Sequence, residues 1–164
     1  LAEGKVDVYQ VFVSNEPDTL RRLGYETEVF HAADYGVPTL GLTYVTRRDL
    51  VSSNPEVVER FLKATMRGVQ FAIENREETL DIVMKFAPQE DRDHQRYMLG
   101  VELAAAQSDL TRLRGLGWGT YEQWARLHDS LVEFGAIAKP VDVRSVFTDE
   151  FLERIYRHGK LLWP

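Results

Sequence analysis

Two regimes of hydrophobic spacing divide this chain near residue 50. In the first, apolar positions come in short runs. Val6 to Val13 is rich in β-branched and aromatic residues and predicts a strand. Ser14-Asn15-Glu16-Pro17-Asp18 breaks that run, and Pro17 suits the first turn of a short helix over Thr19 to Leu23, closed by Gly24. Tyr25 to His31 predicts a second strand and Leu40 to Thr46 a third. Ala32 to Thr39, with Gly36 and Pro38, is expected to be irregular.

After residue 54 the spacing becomes helical. Asn54-Pro55-Glu56 combines a capping side chain, a proline at the first helical position and an acid at the positive end of the dipole. Val58, Phe61, Leu62, Thr65, Met66, Val69 and Ile73 then form one stripe, expected to be core. Further helices are predicted over Arg76 to Phe86, Asp91 to Ala106 and Tyr121 to Phe134, the last carrying Trp124, Leu127 and Leu131 ahead of Gly135. A final helix should be capped by Thr148, contain Phe151, Leu152, Ile155 and Tyr156, and end at Gly159. Short strands followed by turns or helices give an α/β rhythm. Three strands do not complete a doubly wound sheet under five helices, so the missing strands are expected to precede Leu1.

Composition narrows the classes. The 164 residues suffice for a core, and the net charge of -6 argues against a nucleic-acid partner. Arg47 with Arg48 and Arg92 with Arg96 read as solvated faces. The absence of cysteine removes disulfides, thiolate metal sites and cysteine nucleophiles. No apolar run is long enough to span a bilayer. Leu1 to Lys5 has no signal-peptide features, so an exported protein would carry its leader outside this sequence.

No catalytic pattern emerges. His31, His94, His128 and His158 show no metal-ligand spacing, which leaves metal and cofactor binding unsupported. Gly115-Leu116-Gly117-Trp118-Gly119 lacks a preceding strand and reads as a flexible interhelical loop. Two segments stand out. Asn15 and Glu16 end a predicted strand, where open α/β sheets bind ligands, though they could equally start the helix that follows. Tyr35, in Asp34-Tyr35-Gly36-Val37-Pro38, sits either in a plain loop or in a hinge between lobes.

Taken together, Gly4 to Val8, Asn15 to Pro17, Leu20 to Gly24, Asp34 to Pro38, Leu40 to Thr46, Asn54 to Ala64, Trp124 and Phe147 to Leu152 resemble a known family. The chain looks like the C-terminal half of the solute-binding proteins that serve thiamine-pyrimidine precursors, whose wider relatives bind riboflavin, alkanesulfonates and taurine. The resemblance implies a two-lobed type II periplasmic-binding fold, helix-rich after residue 54. Residues 1–33 would end the second lobe, 34–39 form the hinge crossover and 40–164 the C-terminal part of the first lobe, with the N-terminal portion absent. It implies a periplasmic or extracellular protein, with a lipid anchor on that N-terminal portion as one option. Its partners would be a small heterocycle, a membrane ABC permease and the N-terminal remainder of the same protein, with no nucleic acid. The alternatives are a sulfonate or taurine binder and the pyrimidine synthase of the same superfamily. That synthase depends on iron and on a cysteine-rich run where this chain has Tyr35 to Thr39, so a binding role rather than catalysis is expected. Asn15, Glu16 and Tyr35 are the expected ligand contacts, with Tyr9 and Phe12 next; Tyr44 could add a further flat face.

Overall fold

The computed structural model describes residues 1–163. Helices α1 (Glu16–Arg22), α2 (Arg48–Ser53), α3 (Pro55–Glu74), α4 (Arg76–Phe86), α5 (Arg92–Ala105), α6 (Asp109–Arg114), α7 (Tyr121–Glu133) and α8 (Glu150–Ile155) lead to a hairpin of β1 (Tyr156–Arg157) and β2 (Lys160–Leu161). Two 3-10 turns, Ala32–Tyr35 and Val143–Ser145, interrupt the connections. The chain divides into two compact units, one from residues 1–30 and 71–105, the other from residues 31–70 and from Ala106 onward.

In the first unit, Ala72, Leu80 and Leu103 are buried. They come from the end of α3, from α4 and from α5, three segments whose apolar positions recur at helical spacing. Charge pairs run along the outside. Arg96 Nε meets Glu77 Oε1 at 3.0 Å and Arg92 Nη2 meets Asp81 Oδ1 at 2.5 Å, joining α5 to α4. Both pairs are exposed, so they set register more than stability.

The second unit buries Met66, Trp118, Val143, Phe151 and Ile155. Trp124 stacks on Phe147 with ring centroids 5.2 Å apart. Reciprocal capping boxes start two of its helices: Ser108 with Thr111 for α6, and Thr120 with Gln123 for α7. The expected flexible loop at Gly115–Gly119 is instead packed. A side chain at Gly115, where φ is 115°, would put its Cβ 2.5 Å from the Tyr156 ring, and the Arg114 guanidinium lies 3.6 Å from the centroid of the buried Trp118 ring. The hairpin turns on His158 and Gly159, both at positive φ (50° and 73°), the backbone of a tight primed turn.

Helix placement after residue 54 follows the sequence pattern closely, with α3, α4, α5 and α7 where the stripes predict them. The departures have local causes. The first helix begins three residues before the expected Thr19, at Glu16, because Pro17 lies inside its first turn. The last ends at Ile155, and Tyr156 pairs with Leu161 in the hairpin instead of continuing the helix. Phe61, assigned to the core stripe, is exposed and meets the Tyr44 ring edge-on at 5.8 Å. The irregular stretch after residue 31 contains the 3-10 turn Ala32–Tyr35, which Gly36 closes at φ 77°. The short α2 and α6 have too few residues to show a periodic stripe.

The three predicted strands are the main correction. Val6 to Val13, Tyr25 to His31 and Leu40 to Thr46 form no ladder among the described residues, where the hairpin is the sole sheet. A strand is stable only when its N–H and C=O groups are paired in a ladder with a neighbouring strand, and these segments form no such ladder among the described residues. Their apolar side chains are correspondingly open: Val8, Leu42 and Val45 are 79%, 80% and 90% exposed.

Candidate functional site

The turn from Phe12 to Asp18 concentrates the polar chemistry of the first unit. The Asn15 N–H donates to Phe12 O at 2.9 Å, and the Phe12 N–H donates to Glu16 Oε2 at 2.9 Å. Glu16 therefore closes the turn with its own carboxylate. Tyr97 Oη, on α5, donates to Val13 O at 3.1 Å and ties the turn to that helix.

Beneath it lies Asp18, 1% exposed although charged. Its carboxylate accepts from Arg21, from Arg22 Nε at 2.6 Å and faces His94 Nδ1 at 2.8 Å. The other ring nitrogen of His94, Nε2, lies 3.0 Å from Asn15 Oδ1. A buried carboxylate is tolerable only when its lone pairs are filled, and these partners fill them. The hydrogen bond from His94, then those from Arg22 and Arg21, hold the Asp18 carboxyl well below the usual carboxylate range, against the upward push of burial.

That shift has a consequence for stability. Because the folded value lies below the unfolded one, near 3.9, the Asp18 contribution is fully present above about pH 4 and is lost as pH falls toward the folded value. Urea midpoints of the wild type should therefore drop below about pH 4 more steeply than those of Asp18→Asn, which starts less stable at neutral pH. Parallel pH profiles for the two proteins would contradict the assignment.

Beside Asp18 opens a cleft of about 350 Å³, lined among others by Pro17, Arg21, Tyr25, Val29 and Tyr97. The volume falls at the lower end of small-molecule sites. Asp18 and Arg21 on its walls are already paired with each other, and Tyr97 with Val13 O.

The residues expected from the sequence are distributed unevenly. Asn15 and Glu16 are half-buried and adjacent to this cleft in sequence; the structure joins Glu16 to Phe12 and Asn15 to His94. Tyr9 and Phe12 are exposed. Tyr35 belongs to the other unit, at the end of its 3-10 turn, and is 69% exposed. Sequence reasoning missed Asp18, His94 and Tyr97. Asp18 had one readable signal, arginines three and four positions on, the spacing of a helical ion pair. His94 had none, because 76 residues separate it from Asp18.

The motif resemblance agrees with comparison to known proteins: residues 1–79 match the family described as NMT1/THI5 like, whose fold is of the type II periplasmic-binding kind. The chain is 34% identical over 154 residues to the riboflavin-binding protein RibY of Chloroflexus aurantiacus, covering 92% of this chain and 43% of that protein. It is 27% identical over 86 residues to the formylaminopyrimidine-binding protein of Halalkalibacterium halodurans, covering 51% of this chain and 26% of the relative. The chain thus spans less than half the length of either relative. Both relatives carry the names of binding proteins, as the sequence resemblance implied. None of the described helices is long and apolar enough to cross a membrane.

Proposed function

We propose that this chain is the C-terminal half of a two-lobed extracytoplasmic solute-binding protein that hands a small aromatic heterocycle to an ABC importer, without catalysing a reaction. The observation that carries the reading is the similarity to a riboflavin-binding protein across 92% of the chain. In this reading residues 1–33 end the second lobe, 34–39 cross the hinge and 40–164 complete the first lobe. The exposed apolar segments at Val6 to Val13 and Leu40 to Thr46, which join no sheet among the described residues, support it, since strands supplied by the remainder of the protein would pair with them.

The ligand is a ring with hydrogen-bonding edges, a flavin or a formylaminopyrimidine. Glu16 and Asn15 read its polar edge, and Tyr9 and Phe12 offer flat apolar faces beside them. Tyr35 is a further proposed contact, to be tested on its own. An anionic sulfonate would call for hydroxyls and arginines free to receive it, whereas Arg21 and Arg22 are already engaged by Asp18.

A thermal-shift comparison on the full-length protein tests the ligand class. Riboflavin or a formylaminopyrimidine at about 100 times its dissociation constant should stabilise by about 2.7 kcal/mol, and taurine should not. Stabilisation by taurine alone would overturn the heterocycle reading.

A further inference from the structure

Three polar residues stand where α1 begins, and their side chains are engaged elsewhere. Asn15 occupies the N-cap position, where a side-chain oxygen ordinarily accepts from the backbone N–H two or three residues on. Its side chain makes no such bond among the described residues, and Oδ1 lies 3.0 Å from His94 Nε2 instead. Glu16, the first helical residue, turns Oε2 back to the Phe12 N–H at 2.9 Å. Asp18 faces His94 Nδ1 at 2.8 Å and is bound by Arg21 and Arg22. An asparagine that only started the helix would bond its backbone, so the side chain of Asn15 serves another end.

The support comes from one face of α5. His94 and Tyr97 are three positions apart, which makes them neighbours on a helix surface. His94 reaches Asn15 and Asp18, and Tyr97 Oη donates to Val13 O at 3.1 Å. Asp91, just before α5, pairs with Arg22 Nη1 at 3.2 Å. Val13, Asn15, Asp18 and Arg22 are thus all tied to the segment from Asp91 to Tyr97.

We propose that His94 and Tyr97 are positioning residues of the ligand site: from α5 they hold the Phe12 to Glu16 turn in one shape, so that Asn15 and Glu16 are in place before a ligand arrives. The inference rests on the reading of Asn15 and Glu16 as ligand contacts. A short turn left to itself samples other shapes, and ordering it during binding weakens affinity. A turn already held by a neighbouring helix avoids that loss. His94 and Tyr97 act through the turn and need no contact with the ligand.

Hydrogen exchange and calorimetry on the full-length protein test the inference together. Tyr97→Phe removes only the hydroxyl. Without ligand, it should speed exchange of the Phe12 amide about threefold to tenfold, the effect of one lost hydrogen bond. The amide of Leu80, buried in the same unit, should stay as protected as in wild type, which a general loss of stability would not allow. Riboflavin affinity should fall by a similar factor, about three to ten. His94→Gln should act in the same direction on both readouts; if that variant fails to fold, Tyr97→Phe decides alone. In a Glu16→Ala background Tyr97→Phe should cost less affinity than in wild type, because the turn then has no carboxylate to place. Equal loss in both backgrounds would overturn the inference. Wild-type exchange and affinity in Tyr97→Phe and His94→Gln, with Glu16→Ala weakened, would overturn it alone. Wild-type affinity in Glu16→Ala would instead remove the ligand reading, and the inference with it.

Discussion

Ile155→Ala is expected to destabilise the second unit by about 2–5 kcal/mol. Ile155 is 0% exposed, the last residue of α8, with Phe151 buried one turn earlier. The unit has a small core, so removing three carbons leaves a cavity that few neighbours can fill. The position also anchors the hairpin: its carbonyl accepts the Leu162 N–H at 2.7 Å, where the chain returns from β2. Urea denaturation followed by circular dichroism measures the effect. A loss below about 0.5 kcal/mol, the range of ordinary surface changes, would mean that α8 is not a core element.

Glu16→Ala should weaken riboflavin binding by tenfold to a hundredfold in the full-length protein, equivalent to about 1.4–2.8 kcal/mol. The expected loss is that of a charge-assisted hydrogen bond to a ring donor, left unpaired when the carboxylate is removed. The structure adds a second role that must be separated from the first, because Glu16 Oε2 accepts the Phe12 N–H at 2.9 Å and shapes the turn. Glu16→Gln separates them. Its amide oxygen still accepts the Phe12 N–H, but it brings no charge to a ligand. Calorimetry should therefore show Glu16→Gln folded as stably as wild type and weaker in affinity. Wild-type affinity in both variants would confine Glu16 to the turn.

The helical half of the chain was largely legible because helices satisfy their backbone locally. Asn54-Pro55-Glu56, the Val58 to Ile73 stripe and Gly135 after α7 marked element limits to within a few residues, without knowledge of any partner. Strands do not share that property. Val6 to Val13 has the composition of a strand, yet composition specifies only the willingness to pair, and no partner segment meets it among the described residues. Phe61 shows the limit of periodicity: it falls on the apolar stripe of α3 but points to the surface, against Tyr44. The site divides the same way. Asn15 and Glu16 drew attention through their place after an apolar run, and their contact with a ligand is a proposal. The buried Asp18 and its partner His94 depend on the packing of α1 against α5, which joins positions 76 residues apart and leaves no mark on local sequence. The proposed function draws mainly on motifs, since D-Y-G-V-P and N-P-E-x-V-x-x-F-L carry a family resemblance that no physical property of those residues would supply alone.

The most direct test of the central claim is calorimetric titration of riboflavin into the full-length protein that contains this chain. Saturable binding at one site per molecule, lost or weakened in Glu16→Ala, is the predicted result. Absence of binding to both riboflavin and a formylaminopyrimidine, in a protein shown to be folded, would contradict it.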